Sequence, residues 1–383
     1  MQFTINPKTL QKELTFVQGI VERKNTIPVL ANILIESHDD TSIRISGTDL
    51  DTTIRATVAA DEIKARGGIC VQARKLFDIA RLLPDAPVTF KKENNDWVTV
   101  TCGRSHFRLP GIATDTFPDL PGMAADKAPD PSASNTPFAI TSALLKTLIN
   151  KTIFAITQEE GRYTLSGAKF EVSGDGIKII TTDGHRLALI NAKGEVKNPT
   201  KQTLELLIPK KTLSELVKLT TDFDGDVTFG ADENHVYFQV GTRNLISRLL
   251  AGQFPNYEMV LPKNNDKSAI FDTSEFSKAL RRVTVMADDR SHAVAFTFQK
   301  EKMIISAQNA DEGEANESLT TEFDHEELAV GFNSSYVQDF LNVVGTEKIV
   351  MELKDGNSQV EFKPVSDNDG IIFSTIVMPV RLA

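Results

Sequence analysis

The sequence predicts an α+β protein of three repeated domains, each with two amphipathic helices packed on antiparallel sheet. Three observations lead there. One order of elements recurs three times along the 383 residues. The segments read as helices carry apolar residues at helical spacing, and those between them alternate with the period of two that half-buried strands require. The copies are also far apart: equivalent corner positions Asp49, Asp183 and Asn309 lie 134 and 126 residues from one another. A period that long is a domain, not a solenoid module.

Each copy opens with a helix, predicted over 9–21, 142–156 and 274–286. Alternating strand then leads to a polar corner, Ile45-Ser-Gly-Thr-Asp-Leu50, Ile179-Ile-Thr-Thr-Asp-Gly184 and Ile305-Ser-Ala-Gln-Asn-Ala310. A second helix is predicted over 74–83, 211–219 and 335–344, and three alternating strands close each copy, among them 99–101, 236–240 and 359–362. The exits match as well: Phe117-Pro-Asp-Leu-Pro121, Phe254-Pro-Asn-Tyr257 running on to Pro262, and Ile376 to Ala383. These features set domains at 1–121, 137–262 and 269–383. The connectors are 122–136, rich in Ala, Pro, Ser and Asp without periodicity, and the polar 263–268.

Composition narrows the class. With 40% hydrophobic and 25% charged residues the chain reads as globular. No uncharged apolar run approaches the ~20 residues of a membrane helix, and Lys8, Lys12 and Glu13 interrupt any signal-peptide core. Cys70 and Cys102 sit in apolar, strand-like surroundings, as expected of buried thiols in a reducing cytoplasm. The formal charge of −10 argues against a uniformly basic surface, but its distribution is uneven. Counted over 7–24, 74–83, 142–157, 210–219, 274–286 and 334–344, the helical segments carry nine net positive charges, leaving −19 for the rest of the chain. Cations gathered on repeated helices, in an otherwise acidic chain, suit sequence-independent attraction of a polyanion to one surface.

Signals for catalysis are missing. Gly174-Asp-Gly176 is followed by Ile179 where a dinucleotide fingerprint needs glycine, and no phosphate loop occurs. Asp222-Phe-Asp-Gly-Asp226 places its glycine fourth rather than sixth, so a turn fits better than a calcium loop. The histidines show no ligand spacing, and there is no nucleophile elbow. No catalytic residue, metal or cofactor is expected. Asp311, Glu312, Glu314 and Glu317 form an acidic cluster, for which a metal nuclease is the alternative to a docking surface. Thr182-Asp-Gly-His-Arg-Leu187 differs from the corners of the other copies, Thr48-Asp-Leu-Asp and Gln308-Asn-Ala-Asp. That departure marks a site used once per chain; the plainer alternative is a polar turn capped by His185.

Several stretches together resemble a known family. They are Thr48-Asp-Leu50, Ala73-Arg-Lys75, Thr182 to Ala188, Phe254-Pro-Asn-Tyr257, Leu261-Pro-Lys-Asn264, Gly331-Phe-Asn333, Ser335-Tyr-Val337 and Val377 to Leu382. In this order, inside a triple repeat and over essentially the whole chain, they resemble the bacterial DNA polymerase III beta subunits, the DNA sliding clamps. The resemblance implies a head-to-tail homodimeric ring of six similar domains with helices lining the pore. Duplex DNA passes through without base reading, and the ring tethers DNA polymerase III for processive replication. It implies partners in the polymerase alpha subunit, an ATP-using clamp loader, other polymerases and repair proteins, with no membrane role.

Residue roles follow from the same resemblance. A peptide pocket is expected from Leu165, Thr182, Gly184, His185, Arg186 and Leu187. Its other wall is expected from Pro255, Val260, Asn333, Tyr336, Ile376, Val377, Met378, Pro379, Val380, Arg381 and Leu382. Phosphate contacts are expected from Arg23, Lys24, Arg74, Tyr163, Lys210 and Lys211, with Arg281 and Arg282 added from the third opening helix. At the dimer contact Ile79, Leu83, Phe107 and Leu109 would meet Val285 and Met286. Lys75 and Arg104 would there meet Asp311, Glu312, Glu314 or Glu317. Met259, Ser291 and the terminal Ala383 depart from the family pattern and bear on peptide preference.

Overall fold

The computed structural model describes residues 1–21, 27–120, 138–159, 161–174, 176–197, 203–309, 312–365 and 370–381. The connector expected at 122–136 lies outside them. Six α-helices are present among the described residues: α1 (Pro7–Ile20), α2 (Ala73–Ala80), α3 (Ser142–Asn150), α4 (Lys210–Thr221), α5 (Thr273–Thr284) and α6 (Ser334–Val343).

Local chemistry sets their ends. Asn6 caps α1, its Oδ1 accepting from the N–H groups of Lys8 and Thr9, and Pro7 occupies the first turn. Asp272 and Asn333 cap α5 and α6 in the same way. Two helices are shorter than the periodicity predicts. α2 stops at Ala80 instead of continuing to 83, because Pro84 disfavours helical backbone at the residue before it. α3 stops at Asn150, where the Thr152 hydroxyl bonds back to the carbonyls of Leu148 and Ile149; a short 3-10 turn, Ile153–Ala155, follows.

Each copy consists of two similar halves, strand–helix–three strands, a doubling that the sequence reading did not find. The second copy shows it cleanly. Phe138–Thr141 leads into α3, then Gly167–Ser173, Gly176–Thr182 and Arg186–Lys193; Leu204–Pro209 leads into α4, then Asp226–Ala231, His235–Val240 and Arg243–Arg248. Copy three repeats this order, from Lys267–Asp272 and α5 to Ile371–Val377. Copy one adds two short strands, Glu62–Ala65 and Gly111–Ile112. The second connector is shorter than expected, since its last two residues already belong to Lys267–Asp272.

The chain divides into two compact units, 1–146 with 197–200 and 211–249, and 147–196 with 201–210 and 250–383. In the first unit Thr52–Ala59 pairs antiparallel with Arg243–Arg248, so strands of copies one and two form one nine-stranded sheet. In the second unit Arg186–Lys193 pairs with Ile371–Val377, and strands of copies two and three form an eight-stranded sheet. Each join satisfies an edge that a separate domain would leave open. A five-stranded and a four-stranded sheet complete the units.

Within the first unit, α1 buries Leu10, Leu14, Val17 and Ile20. It lies so close to the sheet that a Cβ on Gly47 would come within 2.5 Å of Val17 Cγ1. Glu13 and Arg243 form a buried two-point ion pair, and the guanidinium lies 4.4 Å from the Phe16 ring centroid. The second unit is built on contacting phenylalanines, with Phe276, Phe296, Phe332, Phe362, Phe340 and Phe373 joined pairwise at 5.0–5.8 Å between centroids. Both cysteines are buried and unbridged, and burial pushes the Cys70 thiol up to about 12. Among the described residues no helix is long and apolar enough to cross a membrane.

Candidate functional site

The recurring Thr-Asp corner is a hydrogen-bonded turn. In copy one, Asp49 Oδ1 accepts from the N–H groups of Asp51 and Thr52, and the Thr48 hydroxyl accepts from Leu50. In copy two, Asp183 Oδ1 accepts from His185 and Arg186, and the Thr182 hydroxyl accepts from Gly184. The third residue is left-handed in both, Leu50 at φ 82° and Gly184 at 91°. Glycine takes that conformation without strain in the second case, and a Cβ there would also stand 2.6 Å from the movable end of Arg162, Nη1. The shared Thr-Asp is therefore turn architecture. What is added in copy two is His185 and Arg186.

Arg186 is fixed on all sides. Its Nε donates to Asp183 Oδ2 at 3.0 Å, Nη1 to Asp339 Oδ2 at 2.7 Å, and Nη2 to the Phe154 carbonyl at 2.8 Å. The guanidinium plane also lies between the rings of Phe154 and Tyr336, at 5.2 and 4.5 Å. With its nitrogens bonded to two carboxylates and a carbonyl, this half-buried cation is a rigid post rather than a mobile ligand. His185 stacks on Tyr336 at 6.4 Å between centroids, and burial together with Asp183 holds the Tyr336 hydroxyl above its usual pKa.

Beside this post runs a small apolar cavity of about 120 Å³. Of the residues expected in the pocket, the structure brings Leu165, Thr182, Gly184, His185, Arg186, Leu187, Pro255, Val260, Ile376 and Met378 to its lining, and adds Asn256 and Tyr257. The chain end is tied over it: the Met378 N–H donates to the His185 carbonyl and the Val380 N–H to that of Gly331. Val377 is fully buried on the sheet face opposite Ile376, and Asn333 uses its side chain to cap α6. Pro379 is half-buried, Arg381 is exposed, and Leu382 and Ala383 lie outside the described residues. Met259 projects into solvent at 76% exposure, while Ser291 closes a turn on Asp288.

The expected phosphate contacts divide by their surroundings. Arg23 and Lys24 lie outside the described residues. Arg74 is exposed, its Nε 3.9 Å from Asp78, and Tyr163 is 56% exposed. Lys211 contacts Asp49 and the Ile20 carbonyl. Lys210 reaches the Ile156 carbonyl at 3.4 Å; burial, then Arg186, holds its ammonium below the usual lysine range. Arg281 donates to Asn342, whereas Arg282 forks onto Glu317 and so is already matched to a carboxylate.

Of the residues expected at a dimer contact, Ile79, Leu83, Phe107 and Met286 are half-buried, and Leu109 is buried. Val285 is 74% exposed. The neighbour of Leu83, Leu82, which the sequence reading passed over, is exposed at 78%. Lys75, Arg104, Glu312 and Glu314 are exposed, and Asp311 lies outside the described residues. Among the described residues no three His, Cys, Asp or Glu side chains are grouped to hold a metal.

Comparison with known proteins converges on one family. Models of the N-terminal, central and C-terminal domains of the DNA polymerase III beta subunit match residues 1–121, 139–256 and 258–381. The beta sliding clamp of Pseudomonas aeruginosa is 33% identical over 382 residues and that of Escherichia coli 31% over 385, each alignment covering 100% of both chains. Crystal structures of the DNA polymerase III subunit beta from Pseudomonas aeruginosa and the polymerase sliding clamp from Bacillus subtilis superpose with TM-scores of 0.91 and 0.90, at 33% and 27% identity and full coverage of both chains. The chain belongs to the DNA polymerase III beta subunit family, the non-catalytic sliding clamps of DNA replication.

Proposed function

We propose that this clamp works as a homodimeric ring around duplex DNA, holding DNA polymerase III to its template by linkage rather than by tight binding. The loader, other polymerases and repair proteins would use the same cavity beside Arg186, and the site of action would be the cytoplasm. We place the domains at 1–121, 137–262 and 269–383. The observation that carries the peptide reading is the meeting of three parts of the chain: the His185-Arg186 corner, Tyr336 of α6, and the 376–380 tail. An apolar cavity with a few fixed polar groups at its rim is what a short peptide with apolar side chains requires.

Sheet edges support the ring. The chain already joins its copies by antiparallel edge pairing, and among the sheet edges of the described residues are Ser105–Leu109 and Gly313–Thr320, each paired on one side only. Arg104 adjoins the first edge in sequence, and Lys75 and Leu82 are exposed; Glu312 adjoins the second and Glu314 lies on it, with exposed Val285 at the end of the α5 helix packed against it. Complementary charge and exposed apolar surface fit a heterologous contact, which closes when the rotation permits.

Deleting residues 378–383 tests the pocket. The expected outcome is loss of binding of a fluorescein-labelled peptide ending in Leu-Phe, with the dimer mass unchanged in light scattering. Unaltered peptide affinity would refute the assignment.

A further inference from the structure

We propose that Tyr257 is a positioning residue of the peptide cavity, tethered through its hydroxyl to Lys178 and Glu171, and that this tether sets peptide affinity. The inference rests on the reading of the cavity as a peptide site. It concerns how that site is held open.

Tyr257 begins a 3-10 turn, Tyr257–Met259, that links two wall residues, Pro255 and Val260. Its ring is 6% exposed and packs with Ile180, Leu187 and Ile376 under the cavity. Its hydroxyl lies among charges. It donates to Glu171 at 3.1–3.2 Å and accepts from Lys178 Nζ at 3.1 Å. Register places both partners on the face that carries Ile180, because Glu171 opposes Lys178 and Lys169 opposes Ile180 across the antiparallel pair. One sheet face thus has an apolar end, which floors the peptide cavity, and a charged end, which opens to a polar cleft of about 760 Å³. Tyr257 is the partition between them.

The charged end is built to hold that partition. Lys169 reaches Glu171 at 2.8 Å and Glu205 at 3.2 Å, and Lys178 reaches Glu171 at 3.0 Å. Both ammonium groups stand 5.7 Å from the centroid of the Tyr257 ring. Burial works against the charge on Glu171, yet the two lysines hold its carboxyl below the usual range. The two lysines and two glutamates balance one another without the hydroxyl. Removing the oxygen therefore frees the ring from its tether while leaving every ion pair in place. The 255–260 wall keeps its apolar packing and the Gln359 contact to the Val260 carbonyl but loses the tether that sets the height of the ring, and each peptide must restore that height on binding.

The test uses the full-length protein and the labelled peptide ending in Leu-Phe, with polarisation for affinity and calorimetry for the melting point. Tyr257→Phe is expected to weaken binding about five- to tenfold, the size of one ordinary net hydrogen bond, with a melting point lowered by no more than a few degrees and an unchanged dimer mass. Lys178→Met is expected to weaken it similarly, Lys178→Arg to restore it, and the Tyr257→Phe/Lys178→Met pair to be no worse than either change alone. Wild-type affinity in Tyr257→Phe would overturn the inference, as would losses that add or that follow the melting point. Failure of the unaltered protein to bind the peptide would overturn the cavity assignment itself, and this inference with it.

Discussion

At the scale of single residues, the chain fixes a few charges in place and makes them structural. Glu13 and Arg243 come from different copies, 230 positions apart, and meet in a buried pair. Breaking such a pair leaves one uncompensated charge, whereas replacing both members by apolar groups of similar volume leaves none. Arg243→Met is therefore expected to cost about 3–5 kcal/mol in denaturant unfolding, and Glu13→Leu with Arg243→Met to be close to neutral. Arg186 follows the same logic with two carboxylates. Its importance was legible, because Gly-His-Arg interrupts a repeated corner. Its partners were not: Asp339 lies 153 positions away and the third contact is the backbone carbonyl of Phe154, which has no sequence signature.

At the scale of elements, helices and strands were legible from period and cap, while their ends depended on local chemistry. Pro84 and Thr152 shortened two helices that apolar spacing alone would have continued. The strand–helix–three-strand doubling escaped notice because the two halves of a copy share geometry and few residue types. Charge along α5 now separates two arginines that looked equivalent in sequence: Arg281 bonds to a neutral amide and Arg282 to Glu317. If Arg281 reaches phosphate, Arg281→Ala should reduce the slope of log affinity against log salt by about 0.9, the value for one lost contact on duplex DNA. Arg282→Ala should leave that slope unchanged. Both are read from duplex retention across a salt series.

At the scale of the molecule, one device recurs, the joining of domain edges into a shared sheet. It occurs twice within the chain, and the proposed dimer uses it again between chains. The triple repeat and the whole-chain motifs made the three-domain clamp fold readable from the sequence. Leu82 is the more exposed of the Leu82-Leu83 pair, and nothing in that dipeptide tells which leucine turns inward once the helix has ended. Leu82→Asp is expected to shift the dimer toward monomer in sedimentation by at least tenfold in dissociation constant, in line with about 1.5–3 kcal/mol for an apolar side chain fully buried at a contact. The central claim is topological. The protein is loaded onto a nicked circular plasmid by its clamp loader, the circle is cut, and the amount left on the DNA is measured. The account predicts retention on circles and rapid loss from linear ends; equal retention on both forms would contradict it.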